Sequence, residues 1–212
     1  GLDNGYARAV IEMGMNHPGE IARLAAIAEP QVGLVTNAAP AHIEGLGSVE
    51  AGAEAKGELY RGLPAGGIAV ASADDARMLR QARASGRRLI TFGHHPEADV
   101  VLLEIQRHDA SGMSFTLAIG TREVAVELPL VGVHNARNAA GAAAAALALG
   151  YSDKEIVAGL ASVKTVGRRL RIVKLASGLT LIDDCYNANP SSMSAALLTL
   201  KAMAQGEGRR AV

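Results

Sequence analysis

A chain of 212 residues can hold one large domain, or one domain and part of a second, and its 49% apolar content supplies the core that disordered chains lack. Lys plus Arg and Asp plus Glu both number 21, so the basic excess of a nucleic-acid binder is absent. No apolar run reaches the roughly 18 residues of a membrane span, no basic-then-apolar leader opens the chain, and the single cysteine, Cys185, excludes an intrachain disulfide and fits a reducing cytosol.

In chain order, Ala7 to Met13 is a short apolar run suited to a buried strand, expected over 9–13. His17-Pro18-Gly19 then opens a helix with Ile21, Leu24, Ala25 and Ala28 at helical spacing. Strands are expected at 31–36, 67–71 and 88–92, with helices at 50–63 and 74–84 between them. That alternation implies parallel βαβ units. After Pro96 the pattern changes to three consecutive strands, at 100–107, 113–119 and 123–128, turning at Asp109–Gly112 and at Gly120-Thr121. They read as an antiparallel meander attached to the α/β core.

Helices follow at 135–149 and 152–163, the second with Ser152 as N-cap and Glu155 at the capping-box position. Residues 169–175 and 179–183 form a hairpin around Ser177-Gly178. A last helix is expected over 190–203, capped by Asn189 with Pro190 in its first turn. Another strand is expected to start at Arg209-Arg210, and both ends of the chain read as cut. The fold class is α/β: a mostly parallel sheet flanked by helices, with a small antiparallel meander and the beginning of a second unit. The boundary is placed near Gly167–Arg169, dividing 1–168 from 169–212.

Several polar residues fall where chemistry can occur. Glu12 ends the first expected strand, and ligands of open α/β sheets bind beyond strand carboxyl ends. A carboxylate there suits Mg²⁺, which takes one or two carboxylates plus phosphate oxygens and waters; an ordinary surface glutamate fits the position as well. His42 follows the second strand on the same edge, and a hydrogen-bonded loop histidine is the plainer alternative. Lys56 lies in a helix between Glu54 and Glu58, where a solvated salt-bridge former is expected. If its amine is buried it loses its proton readily, and a neutral amine can take up CO₂ to give a carbamate, an anionic oxygen ligand.

Asn135 and Asn138 share one helix face and suit an adenine edge, unless Asn135 is simply the cap. Asp183-Asp184-Cys185-Tyr186-Asn187-Ala188-Asn189-Pro190 places paired carboxylates at a strand end, where they can bind ribose hydroxyls or form a turn and cap. Arg168 and Arg169 put guanidinium near the domain junction, in reach of a phosphate or as a basic linker. His94-His95 reads as an exposed loop.

Taken together and in this order, these stretches resemble the Mur ligase family across essentially the whole chain. They are Val10-Ile-Glu-Met-Gly with His17-Pro-Gly-Glu-Ile, Thr36-Asn37 with Ala41-His-Ile-Glu-Gly, Ala55-Lys-Gly-Glu, Gly132-Val-His-Asn-Ala-Arg-Asn, and Asp183 to Pro190. The last stretch looks most like the branch that adds D-alanyl-D-alanine to UDP-N-acetylmuramoyl-tripeptide in peptidoglycan precursor synthesis. The resemblance implies a P-loop-type central domain followed by the start of a Rossmann-like domain. It also implies an ATP-dependent amide ligase working through an acyl phosphate in the bacterial cytoplasm, as a monomer.

By the same resemblance, Glu12, His42 and a carbamylated Lys56 serve Mg²⁺, with His42 and Lys56 also counted as catalytic. Asn135 and Asn138 meet adenine, Asp184 with Tyr186 and Asn187 lies at the ribose, and Arg168 or Arg169 serves phosphate. The family's phosphate-cradling Gly-Lys-Thr loop belongs upstream of Glu12 and does not occur in the 212 residues, so this polypeptide alone is expected to be inactive. Two alternatives stay open: another Mur-like ligase that takes a single amino acid, and a non-catalytic nucleotide-binding module.

Overall fold

The computed structural model describes residue 5, residues 7–38 and residues 48–203. Four apolar segments, β1 (Val32–Val35), β2 (Ile68–Ser72), β3 (Arg88–Gly93) and β4 (Val100–Asp109), pair parallel in that order. β5 (Gly112–Ile119) and β6 (Arg122–Leu128) then add antiparallel neighbours. All six strands form one sheet in sequence order. The meander is therefore continuous with the α/β half, because β4 pairs parallel with β3 on one side and antiparallel with β5 on the other.

Side chains alternate across a strand, so β2 feeds two cores at once. Ala69 and Ala71 face one layer with Tyr60, Leu63, Met78 and Ala82. These come from α2 (Val49–Arg61), the residues just after it, and α3 (Ala76–Ala84). Val70 faces the other layer with Ile90, Phe92 and the alanines of α4 (Val133–Ala148). Small residues let α4 come close: a Cβ placed on Gly141 would lie 3.0 Å from the Phe92 ring. α1 (Glu20–Ala28) rests on α2, and α5 (Asp153–Ala161) on β6. The expected capping box is present, with Ser152 and Glu155 bonding reciprocally.

Beyond α5, β7 (Arg171–Lys174) and β8 (Thr180–Asp183) form a separate hairpin. Gly178 takes the left-handed conformation its turn needs, at φ +82°. α6 (Pro190–Met203) starts where expected, with Asn189 Oδ1 accepting the Ser192 N–H at 2.9 Å, and packs on β4 and α4. Among the described residues no helix is long and apolar enough to cross a membrane.

Two expectations are corrected. Residues 9–13 are not a strand: the segment joins no ladder among the described residues, and Val10 is 101% and Ile11 54% exposed. An apolar run becomes a strand only when a neighbour takes its backbone groups, and here a cleft separates the segment from β1. Asn135 is not a helix cap. α4 starts two residues earlier, at Val133 with Gly132 in the cap position, and the Asn135 side chain folds back to donate to Val131 O at 2.7 Å. His42 and the strand expected from Arg209 lie outside the described residues.

Candidate functional site

Past the carboxyl end of β1, Thr36 and Asn37 share a cleft of about 720 Å³ with Glu12, Lys56 and the rest of the 7–13 segment. Lys56 reaches it from α2, its Nζ donating to Asn37 O at 2.7 Å. The expected salt bridge with its flanking glutamates is not made, since residues two apart on a helix do not face each other. Glu58 instead accepts the Gly19 and Ala22 N–H groups at 2.7 and 3.0 Å, satisfying the start of α1. Gly57 between them lets α3 approach, since a Cβ there would lie 2.6 Å from Gln81 Oε1.

The segment carrying Glu12 is folded back by Glu20, which accepts the Asn16 and His17 N–H groups at 2.7 and 3.1 Å. Glu12 itself is exposed within the cleft. Asp75 braces the chain just past Asn37. One of its oxygens accepts the Ala38 N–H at 2.7 Å, while the other accepts Arg77 and Met78 N–H groups as the cap of α3.

Burial holds the Lys56 ammonium below the ordinary lysine range, with the negative charge of Asp75 pulling the other way. The folded state thus favours the neutral amine over a pH window just below the ordinary value of 10.5, in which exposed lysines are still protonated. When cyanate is offered at stepped pH to the folded protein, Lys56 is expected to carbamoylate at lower pH than the exposed Lys154, as read by peptide mass mapping. The two should begin together in denaturant. Equal onset in the folded protein would remove the argument.

The other candidate residues gather at the opposite end of α4. Ala145 and Leu149 of its last turns line the cleft, whereas Asn135 and Asn138 sit in its first two turns, roughly 10 Å or more away at 1.5 Å per residue. Asn135 is partly buried and Asn138 exposed. Below them a second cavity of about 710 Å³ is lined by Leu130, Val131, Thr165, Arg168 and Arg171 among others.

The loop after β8 is tied to the linker before β7. Asp184 Oδ1 accepts the Leu170 N–H at 3.0 Å, holding Leu170 at φ +50°, and the Tyr186 N–H reaches Arg168 O at 3.2 Å. Arg169 lies over the Tyr186 ring, 4.5 Å from its centroid. Arg168 lies 3.9 Å from Asp183 and donates weakly to Cys185 Sγ. Asn187 is exposed and accepts the Ala188 N–H at 2.8 Å.

The structure therefore places Glu12, Asn37 and Lys56 on one cleft, with Lys56 bonded to Asn37. It brings Arg168, Arg169, Asp184 and Tyr186 together separately, and Asn135 with Asn138 on α4. Sequence reasoning missed Asp75 and Glu58. Asp75 follows the carboxyl end of β2 and precedes a helix, the same edge argument that singled out Glu12. Among the described residues no three His, Cys, Asp or Glu side chains form a metal cluster. His94 and His95 are loop residues, as expected: their N–H groups donate to Asp74.

Fold and cleft define an α/β domain of the kind that receives ligands beyond the carboxyl ends of its strands. The Mur ligase middle domain is matched over residues 2–146, and the chain belongs to the Mur ligase family. It is 43% identical over 199 residues to the UDP-N-acetylmuramoyl-tripeptide–D-alanyl-D-alanine ligase of Escherichia coli (strain K12), covering 93% of this chain and 44% of that protein. It superposes on a crystal structure of MurF from Acinetobacter baumannii with a TM-score of 0.88 at 35% identity, covering 95% of this chain and 44% of that one. MurF from Thermotoga maritima in complex with ADP gives a TM-score of 0.78 at 28% identity, with 87% and 42% covered. The chain spans less than half the length of these relatives.

Proposed function

We propose that this chain is part of an ATP-dependent ligase that joins D-alanyl-D-alanine to UDP-N-acetylmuramoyl-tripeptide in the bacterial cytoplasm. The reading rests on the activity of the similar E. coli protein. The structural observation that carries it is the half-buried Lys56 amine turned into the cleft beside Asn37, with Glu12 on the same cleft. The γ-phosphoryl of ATP passes to the tripeptide carboxylate, releasing ADP. The amine of D-alanyl-D-alanine then attacks the acyl phosphate, loses a proton, and phosphate leaves as the amide forms. Such chemistry depends mainly on positioning and neutralising charge.

The donors present fit Mg²⁺ of the phosphate-bound kind better than a closed protein cage. Among the described residues that line the cleft there is one carboxylate, Glu12, with Lys56 able to supply carbamate oxygens once it has taken up CO₂, and these are too few acidic groups for a full shell. Glu12, Lys56 and His42 are the residues that would hold the ion, which when bound neutralises phosphate charge. Asn135 and Asn138 are assigned to adenine, and Asp184, Tyr186 and Asn187 to the ribose side. Arg168 is assigned to phosphate in preference to Arg169, because it lines the cavity while Arg169 is engaged with Tyr186. We place the division between a central unit and the start of a C-terminal unit at Arg168–Arg169, and read the protein as a monomer without membrane insertion.

The test is phosphate release by the full-length protein with ATP, Mg²⁺ and UDP-N-acetylmuramoyl-tripeptide, comparing D-alanyl-D-alanine with single amino acids. Release requiring the dipeptide is the expected result. Release with a single amino acid would move the protein to a sister branch. No release with any amine would leave a nucleotide-binding module.

A further inference from the structure

The start of α4 lacks any side-chain cap of its own. Gly132, the residue before the helix, is buried at φ +95°, and a Cβ there would lie 2.5 Å from the His134 ring and 3.0 Å from Thr199 Oγ1 of α6. Its N–H nevertheless has a partner from another element: it donates to His108 Nε2, at the end of β4, at 2.9 Å. Two register shifts in the β4–β5 ladder, between Leu102 and Ile105 and between Ile105 and Arg107, precede His108. Irregularities of this kind re-aim the side chains that follow them. From Gly132 the connection continues into the helix. Gly132 O accepts the Asn135 N–H at 2.8 Å, and Asn135 Nδ2 donates to Val131 O at 2.7 Å, which fixes the orientation of the amide.

We propose that His108 is a positioning residue for the nucleotide, acting through Gly132 to set the α4 terminus that presents Asn135 and Asn138. This rests on the assignment of those two asparagines to adenine. An imidazole can accept at Nε2 only while neutral and protonated at Nδ1. Burial holds His108 below the ordinary histidine range, against the pull of Asp109. Arg107 and Asp109 flank it on β4, and His134 of α4 is close enough to interact with it; Arg137 on α4 and Asp184 in the loop before α6 act on His134 in turn. Met113 pairs opposite His108 on β5, and Thr199 is the α6 residue at the junction. His134 is likewise held low, burial again being the larger cause, with Asp184 opposing. Neutral imidazoles persist in the fold below the ordinary value of 6.5, and the Gly132 contact is lost only as pH falls further, through the lowered value.

The experiment compares His108→Ala, His108→Gln and Asn138→Ala in the full-length protein, measuring KM for ATP and for the amine substrate, and the histidine tautomers by ¹⁵N NMR. By analogy with residues that orient metal ligands, a supporting residue of this kind is worth about 10- to 100-fold. His108→Ala should raise KM for ATP by about that much while leaving KM for the amine unchanged. His108→Gln, whose Oε1 can accept the same N–H, should recover most of the loss and flatten the rise in ATP KM expected of the native protein in acid. The native His108 should give the Nδ1–H tautomer. An unchanged ATP KM in His108→Ala, both KM values rising together, or an Nε2–H tautomer would each overturn the proposal. Asn138→Ala separates the underlying assignment: if it leaves ATP KM unchanged, the adenine reading fails, whatever His108 does.

Discussion

Lys56→Ala in the full-length protein should lower dipeptide-dependent phosphate release by about 10²- to 10³-fold, the scale on which losing one preorganised electrostatic group at a reacting centre is felt. The fold should survive the change. Lys56 makes no ion pair with Glu54 or Glu58, and its one hydrogen bond among the described residues is to Asn37 O. Removing a half-buried cation also relieves a desolvation penalty. The loss should therefore fall on kcat, with the unfolding midpoint essentially unmoved. Lys56→Arg should not rescue, because a guanidinium keeps its proton and cannot take up CO₂. Activity within threefold of the native protein, in either variant, would remove Lys56 from the chemistry.

The largest stability effect is expected at Phe92→Ala, about 3–5 kcal/mol by analogy with other buried aromatic truncations. Phe92 is 2% exposed, sits near the carboxyl end of β3, and meets Gly141 of α4 across the layer boundary. The neighbouring residues cannot close the gap easily. Gly93 follows at φ +142°, where a Cβ would lie 2.6 Å from the Asp74 carboxylate, so the strand end is held in place. Urea unfolding of this domain within the full-length protein measures the effect. Adding Gly141→Ala should cost less in the Phe92→Ala background than in the native one, because its methyl then enters the vacated space. A loss under about 1 kcal/mol, or strict additivity, would show that the two layers do not meet as described.

Much of the architecture was legible because its signals are local. α6 spans the residues its cap and proline indicate, the Ser152–Glu155 box starts α5, and every strand from β1 to β8 lies within about two residues of its expected place. Each depends on residues within one turn or one period of each other. The Ala7–Met13 run shows the limit of that reasoning. Its composition suits a strand, yet strand formation is a property of two segments, and this one has no ladder partner among the described residues.

The site divides in the same way. Residue type beside an expected strand end pointed to Glu12, and the family resemblance pointed to Lys56; the structure places both on one cleft. The structure decided that Lys56 turns inward to Asn37, that Glu58 caps α1, and that Asp75 and His108 hold backbone far away in sequence. Those contacts span 19 to 39 residues. The sequence by itself determined the elements, their order and the family resemblance, because propensity, capping and periodicity are set by neighbours along the chain. Only the tertiary structure decided which polar groups are buried and which backbone N–H each carboxylate or imidazole satisfies, because those depend on what the packed layers bring within 3 Å or so of one another.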